Sequence, residues 1–236
     1  MDRIAVVTGA DRGLGFALCE GLLAQGWRVF AGQYMPDWPQ LTELAGRYPE
    51  RLHIVPLDVS STASVQAAAE AVAAAADHVD LLINNAGITG GRGGLQEGFD
   101  EAKMHRVYDV NALGPIRVVE AFLPLTSRGL RRLVFVSSEA GSIGRCRRQA
   151  GLGYCMSKAA LNMAVKIMFN RLRPEGYTFR LYHPGWMRTY MSGQKNPQAD
   201  MEPEEAAAKA LPFFLGNREN EDRLVLVDYQ GAEWEW

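Results

Sequence analysis

The stretch that decides the fold is IAVVTGADRGLG, residues 4–15. Its first half, Ile4 to Thr8, is a short run of β-branched and small residues, which predicts a buried strand. Its second half carries three glycines and leads into an apolar helical pattern from Leu14 to Gln25. Glycines let a backbone approach a pyrophosphate closely, and a helix N-terminus supplies N–H donors. The stretch therefore predicts a strand, a phosphate-binding turn and a helix.

The same alternation of short apolar strands and longer helices continues along the chain. Further strands are predicted at residues 28–31, 52–57, 80–83, 133–136, 179–182 and 224–227, and helices at 41–47, 64–76, 100–125, 155–172 and 203–215. Near-continuous apolar strands separated by helices are typical of a parallel sheet covered on both faces. We therefore predict an α/β fold in which residues 1–236 form a single domain, a Rossmann-like doubly wound parallel sheet of about seven strands with helices on both faces.

Composition limits the classes of partner. The chain has 236 residues, of which 47% are hydrophobic and 22% charged, and its net charge of −2 provides no field to attract nucleic acid or an anionic membrane. Three cysteines without a Cys-x-x-Cys pair argue against a disulfide framework and a zinc site. No signal peptide or long apolar span is present. We expect a cytoplasmic protein with small-molecule partners and no nucleic-acid, membrane or metal partner.

The glycine-rich turn alone leaves several ligands open. No Gly-Lys-Ser/Thr follows it, which disfavours a P-loop for nucleoside triphosphates. A methyltransferase stays open on the turn alone, but it would prefer an acid at the end of the second strand, where the chain reads Gly32-Gln33-Tyr34. Three irregular stretches, 88–99, 139–153 and 184–201, each follow a strand. Ligands bind at the carboxyl ends of such strands, so we place the site there.

A resemblance narrows this choice. Thr8-Gly9-x-x-x-Gly13-x-Gly15 resembles the cofactor motif of the short-chain dehydrogenase/reductase family, and further family motifs follow in the family's order over the whole chain. These are Asp58-Val59, Asn84-Asn85-Ala86-Gly87, Asn111, Ser138, Tyr154-x-x-x-Lys158, and Pro184-Gly185 with Thr189. The segment His183–Thr189 and the ending Asp228–Gly231 with Trp236 are similar to the carbonyl-reductase-like and C-factor-like branch.

The resemblance implies hydride transfer between a nicotinamide and a carbonyl or alcohol substrate, with Asn111, Ser138, Tyr154 and Lys158 as catalytic residues. Tyr154 would be the acid/base. Lys158, four residues later on the same helical face, would stabilise its phenolate and bind the nicotinamide ribose. Ser138 would donate a hydrogen bond to the substrate carbonyl, with Ser137 and Ser142 as alternatives, and Asn111 would hold a water of a proton relay.

The resemblance also implies a cofactor site. Its residues are Gly9, Asp11, Arg12, Gly13, Leu14, Gln33, Asp58, Val59, Asn85, Ala86, Gly87, Tyr154, Lys158, Pro184, Gly185, Met187 and Thr189. We expect NADP(H) to be preferred and NAD(H) to be the second cofactor. Gln33 is neutral where an NAD-selective enzyme places an acid, and the Arg12 guanidinium would hold the 2′-phosphate.

Three questions stay open at this point. The rival to an oxidoreductase is a cofactor-binding regulatory or signalling protein on the same fold, against which the intact tetrad argues. The loop with Arg145, Arg147 and Arg148, longer than in the family's commonest pattern, is either a solvated charge run or the border of a mouth that favours acidic substrates. Relatives often pair through two long helices, so we expect a homodimer or homotetramer.

Overall fold

The structure, a computed structural model, describes residues 2–90, 93–96, 98–191 and 193–236. Its central sheet contains eight strands. They are β1 (Ile4–Val7), β2 (Arg28–Gln33), β3 (Leu52–Pro56), β4 (Leu81–Asn84), β5 (Arg132–Val136), β6 (Thr178–His183), β7 (Leu226–Asp228) and β8 (Glu233–Trp234). Their order is β3-β2-β1-β4-β5-β6-β7-β8. All pairs are parallel except β7 with β8, which is antiparallel.

Seven helices cover the two faces of the sheet in the described part of the chain. They are α1 (Gly13–Ala24), α2 (Gln40–Arg47), α3 (Thr62–Ala75), α4 (Glu101–Tyr108), α5 (Gly114–Thr126), α6 (Leu152–Leu172) and α7 (Pro203–Leu215). Alternate residues of β1 point to opposite faces: Ile4 and Val6 join the core under α3, α5 and α6, while Ala5 and Val7 join the core under α1, α2 and α7. The predicted doubly wound α/β fold is confirmed.

Two details differ from the sequence prediction. The sheet has eight strands rather than about seven, because Glu233 and Trp234 add a short antiparallel edge strand. The predicted helix 100–125 is α4 and α5 joined by a π-helical turn, Asp109–Leu113. The amide of Gly114 donates to the Asp109 carbonyl, five residues back, and Pro115 has no N–H to continue a regular ladder.

The sheet order brings the candidate site residues together at the carboxyl-terminal ends of the central strands. Strands β1, β4, β5 and β6 are neighbours in the centre of the sheet and run parallel, so the segments that follow them meet beyond their carboxyl ends. No helix of the described residues is long and apolar enough to cross a bilayer.

Candidate active site

The turn between β1 and α1 has a conformation that suits glycine. Gly9 and Gly13 have φ angles of 62° and 58°, in the left-handed region. A Cβ on Gly15 would lie 2.1 Å from the Gly9 carbonyl oxygen, so no side chain fits there. Arg12 precedes α1 without capping its amides by a side-chain hydrogen bond, and the Leu14 side chain is buried. The first N–H groups of α1 are therefore suited to a phosphate.

Residues after β4 hold this turn in place. Nδ2 of Asn85 donates to the carbonyl oxygens of Thr8 at 2.9 Å and Gly9 at 3.0 Å. The backbone amides of Asn85 and Ala86 both donate to the Thr8 hydroxyl at 3.0 Å. Asn85 and Ala86, predicted as cofactor-binding residues, thus build the turn in which the predicted glycines lie.

Asp11 ties the turn to the end of β2, where Gln33 is the last strand residue. Its carboxylate accepts hydrogen bonds from the amides of Tyr34 and Met35, both at 2.9 Å. Burial raises the pKa of Asp11, although these amide donors act in the opposite direction. The Asp11 side chain is therefore occupied by the protein's own backbone.

The Arg12 guanidinium lies among aromatic rings. It is 4.7 Å from the centre of the Trp38 ring and 5.9 Å from that of Tyr190, and the two rings pack edge to face at 5.1 Å. These contacts hold a positive charge beside the phosphate-binding turn without an ion pair among the described residues. Sequence reasoning missed Trp38 and Tyr190, since neither belongs to a motif.

Asp58 and Val59 shape the turn after β3. Oδ1 of Asp58 accepts from the amide of Ser60 at 2.9 Å and from its hydroxyl at 2.6 Å. Val59 is buried against the start of α5, where a Cβ on Gly114 would lie 3.0 Å from Val59 Cγ2. Both predicted residues therefore have structural contacts of their own.

The segment after β6 reaches the glycine-rich turn. It begins with Pro184 and with Gly185, whose φ is 84°. Met187 packs against the core on the α1 side of the sheet. A Cβ on Gly13 would lie 3.3 Å from Thr189 Cγ2. The predicted residues of this segment thus cover the turn that would hold the cofactor.

Asn111, in the π-helical turn, is held by the segment after β4. Its Oδ1 accepts from the Ile88 amide at 2.8 Å, and its Nδ2 donates to the Ile88 carbonyl at 2.9 Å and to the Ser157 hydroxyl at 3.0 Å. A Cβ on Gly87 would lie 3.3 Å from Asn111 Oδ1 and 3.7 Å from Lys158 Nζ. Asn111 and Lys158 therefore meet at Gly87.

Tyr154 and Lys158 lie in the first two turns of α6. The buried Lys158 ammonium donates to the Val136 carbonyl at 2.9 Å and lies 5.8 Å from the centre of the Tyr154 ring. Burial lowers the pKa of Lys158 to about 8. Burial raises the pKa of Tyr154 to about 12, against opposing effects of Ser138 and Arg148.

The expectation that Lys158 stabilises a phenolate concerns the state after Tyr154 has lost its proton. The ammonium is directed at the Val136 carbonyl, and burial is the largest influence on Tyr154. With a pKa of about 12, Tyr154 is a neutral phenol at neutral pH. That is the form that donates a proton.

The structure distinguishes the three candidate serines. Ser137 donates to Oδ1 of Asn162 at 2.6 Å, and Ser142 donates to the backbone carbonyl of Glu235. Both hydroxyls therefore stabilise the fold. Ser138 is the candidate serine that lies beside Tyr154, where it opposes the rise in the pKa of Tyr154, while its hydroxyl donates to Glu139.

Glu139 is a site residue that sequence reasoning missed. Its Oε2 accepts a hydrogen bond from the Ser138 hydroxyl, with 2.5 Å between the two oxygens, and lies 4.0 Å from Nδ1 of His183. Its Oε1 pairs with the Arg148 guanidinium. Burial would raise the pKa of Glu139, but the hydrogen bonds from Ser138 and Arg148 lower it overall. The Ser138 hydroxyl therefore donates its hydrogen bond to a carboxylate. In the sequence, the only feature that points to Glu139 is its position directly after Ser138.

A cavity of about 260 Å³ opens beside these groups. Its lining consists of Glu139, Ala140, Arg145, Cys146, Arg147, Arg148 and Trp234. The described residues contain no group of three or more His, Cys, Asp or Glu side chains that could hold a metal ion.

Comparison with known proteins places this geometry in context. Residues 3–200 match the sequence family described as short chain dehydrogenase. The chain is 44% identical to C-signal of Myxococcus xanthus over 160 residues, which is 67% of this chain and 93% of that protein. It is 33% identical to an uncharacterised oxidoreductase of Schizosaccharomyces pombe over 230 residues, 96% of this chain and 90% of that one. NADPH-bound carbonyl reductase from chicken fatty liver superimposes with a TM-score of 0.88 at 30% identity, over 100% of this chain and 99% of that structure.

Proposed function

This chain belongs to the short-chain dehydrogenase family, and we propose that within it the protein is an NADP(H)-dependent oxidoreductase for a carbonyl or secondary alcohol substrate. The observation that carries the proposal is that Ser138 and Lys158 both lie beside Tyr154, while Asn111 and Lys158 lie against Gly87 in the segment after β4. Residues 1–236 would act as one catalytic domain.

The turn fits a dinucleotide because Gly9 and Gly15 leave no room for a Cβ and the N-terminus of α1 has no side-chain cap. When bound, the nicotinamide supplies the hydride. The turn residues Gly9 to Leu14 would hold the pyrophosphate, and Arg12 would bind a 2′-phosphate through charge-assisted hydrogen bonds. The neutral Gln33 supports NADPH over NADH, as does the NADPH in the chicken carbonyl reductase.

The chain's own residues manage the proton. Tyr154, a neutral phenol, would donate its proton to the carbonyl oxygen during reduction, while Ser138 would turn its hydroxyl from Glu139 to the same oxygen. Lys158 is positively charged below a pH of about 8 and attracts the negative charge left on Tyr154. Asn111 fixes the Ile88 backbone beside them.

The test measures NADPH oxidation with a panel of ketones and aldehydes. The Tyr154→Phe variant should bind cofactor like the parent but lose about 10²- to 10⁴-fold in turnover, since the general acid is removed. Tyr108→Phe, an exposed tyrosine on α4, is the matched control and should keep full turnover. Absence of oxidation with every carbonyl, or full activity of Tyr154→Phe, would overturn the proposal.

One observation favours a second candidate. The 44% identity to a protein named C-signal supports a cofactor-binding signalling role. A signalling protein that only senses cofactor would bind NADPH, turn over no carbonyl or alcohol, and be indifferent to Tyr154→Phe. The same panel therefore separates the two functions.

A further inference from the structure

We propose that the cavity beside Ser138 binds a carboxylate group of the substrate, so that the physiological substrate is an acidic carbonyl compound or its hydroxy acid. The inference rests on the proposed oxidoreductase function and names the substrate class of the same site. The cavity, its charges and its position beside Ser138 carry it.

The first argument is charge. Three guanidinium groups, those of Arg145, Arg147 and Arg148, line the cavity together with one carboxylate, Glu139. Arg148 is paired with Glu139, whereas Arg145 and Arg147 form no ion pair within the described part of the chain. The chain as a whole has a net charge of −2, so this positive cleft is a local feature. Guanidinium groups bind carboxylates through paired hydrogen bonds.

The second argument is that the cleft has a built wall. Arg145 stacks on the Trp234 ring at 5.0 Å, and Trp234 donates from Nε1 to Oδ2 of Asp228 at 2.8 Å. Asp228 belongs to β7 and Trp234 to β8, so the edge of the sheet supports the arginine. The Arg145 side chain is exposed, but this contact fixes its position at the edge of the cavity.

The third argument is position. Glu139 links the cleft to the reacting groups, because it lines the cavity and accepts the Ser138 proton at 2.5 Å. The charge of Arg148 also acts on Tyr154, opposing the rise in pKa that burial causes. A ligand carboxylate at Arg148 would compete with Glu139 and lie next to the position of the carbonyl.

Size and charge limit the ligand. A cavity of about 260 Å³ is below the 300 to 1,000 Å³ or so of pockets that enclose whole drug-sized ligands, so it fits one charged end of a substrate. The planar carboxylate also matches the planar guanidinium fork, which can bind it through two parallel hydrogen bonds.

The experiment compares phenylglyoxylate with its methyl ester, which share the ketone and differ in charge. In the parent we expect the acid to have the higher kcat/KM. Arg145→Gln combined with Arg147→Gln should lower kcat/KM for the acid about tenfold more than for the ester, and this difference should shrink in high salt. Arg171→Gln, an exposed arginine on α6 paired with Glu175, is the matched control and should alter neither.

Calorimetric titration of the NADP⁺-loaded protein with each compound gives a readout independent of turnover, because NADP⁺ has no hydride to transfer to a ketone. The acid should bind more tightly than the ester in the parent and lose that advantage in the double variant. Turnover of the ester at least as fast as the acid, with equal losses in the double variant, would overturn the carboxylate site and leave the oxidoreductase intact. Binding of NADPH without turnover of either compound or of any other carbonyl would overturn the proposed function itself.

Discussion

Replacing Glu139 by Gln tests whether the carboxylate restrains Ser138. The Ser138 hydroxyl has one proton, and the structure directs it to Oε2 of Glu139 at 2.5 Å. To hydrogen-bond a substrate oxygen, Ser138 must give up this bond. The Glu139→Gln substitution keeps the size of the side chain but removes a negative charge that also raises the pKa of Tyr154. We therefore expect the variant to reduce a neutral ketone faster than the parent.

The magnitude follows from the kind of hydrogen bond that is lost. A hydrogen bond to a charged group contributes about 1.5–3 kcal/mol, against about 0.5–1.5 kcal/mol for a neutral one. The difference, about 1–1.5 kcal/mol, corresponds to a rise of roughly five- to tenfold in kcat/KM. Only the loss of the Ser138–Glu139 hydrogen bond is counted in this magnitude. Glu139 is partly exposed, and water can solvate the Arg148 guanidinium once its partner is neutral.

The assay is steady-state reduction of a neutral ketone at saturating NADPH, with cofactor affinity and thermal unfolding measured alongside. Glu175→Gln, which removes the carboxylate of another arginine pair on the surface, is the control and should leave kcat/KM unchanged. A fall in kcat/KM for Glu139→Gln, with fold and cofactor affinity intact, would refute the reasoning. It would mean that Glu139 holds Ser138 in its working position.

Three further predictions concern the cofactor side of the site. Lys158→Met should weaken NADPH binding. In the parent, the Kd for NADPH should rise as the pH increases through about 8, where the ammonium loses its charge, whereas in the variant the Kd should not depend on pH over this range. A Kd that does not change with pH in the parent would contradict the role of the charge. Arg12→Ala should reduce the preference for NADPH over NADH about tenfold, measured as the ratio of the two kcat/KM values, and an unchanged ratio would exclude Arg12 as the phosphate ligand. Gly15→Ala should lower cofactor affinity at least tenfold and lower Tm, since its Cβ would lie 2.1 Å from the Gly9 carbonyl oxygen. Gly46→Ala, at a helical glycine with open space around it, should by contrast raise Tm slightly. Equal changes in Tm for the two variants would show that the turn can accommodate a Cβ at Gly15.

Much of the fold was predictable because its signals are local. Strands β1 to β7 each overlap a predicted apolar run, with ends that differ by up to two residues, and α7 spans the residues predicted for it. The edge strand β8 was missed because two residues, Glu233 and Trp234, have no periodicity to detect. Its position depends on pairing with β7 and on the contact of Trp234 with Asp228, which are tertiary interactions.

The site divides in the same way. The glycine turn and the tetrad follow from residue types at set spacings, so motif reasoning reaches them. Glu139 and Trp38 have roles that arise from what packs beside them, Ser138 in one case and Arg12 in the other. The pKa values of Tyr154 and Lys158 depend on burial, which spacing does not report.

The π-helical turn at Asp109–Leu113 makes the protein sensitive to the length of its chain at one place. Because the amide of Gly114 donates to the Asp109 carbonyl, five residues earlier, the turn contains one residue more than a regular α-helical turn. Deleting a residue there would let α4 and α5 merge into one regular helix with little change in their relative phase, because the π turn has already absorbed the extra residue. Asn111 would then leave Ile88 while the apolar faces of the sheet stayed covered. In a deletion library, we expect this turn to yield folded, inactive proteins, and an insertion elsewhere in the same helix would not return Asn111 to Ile88.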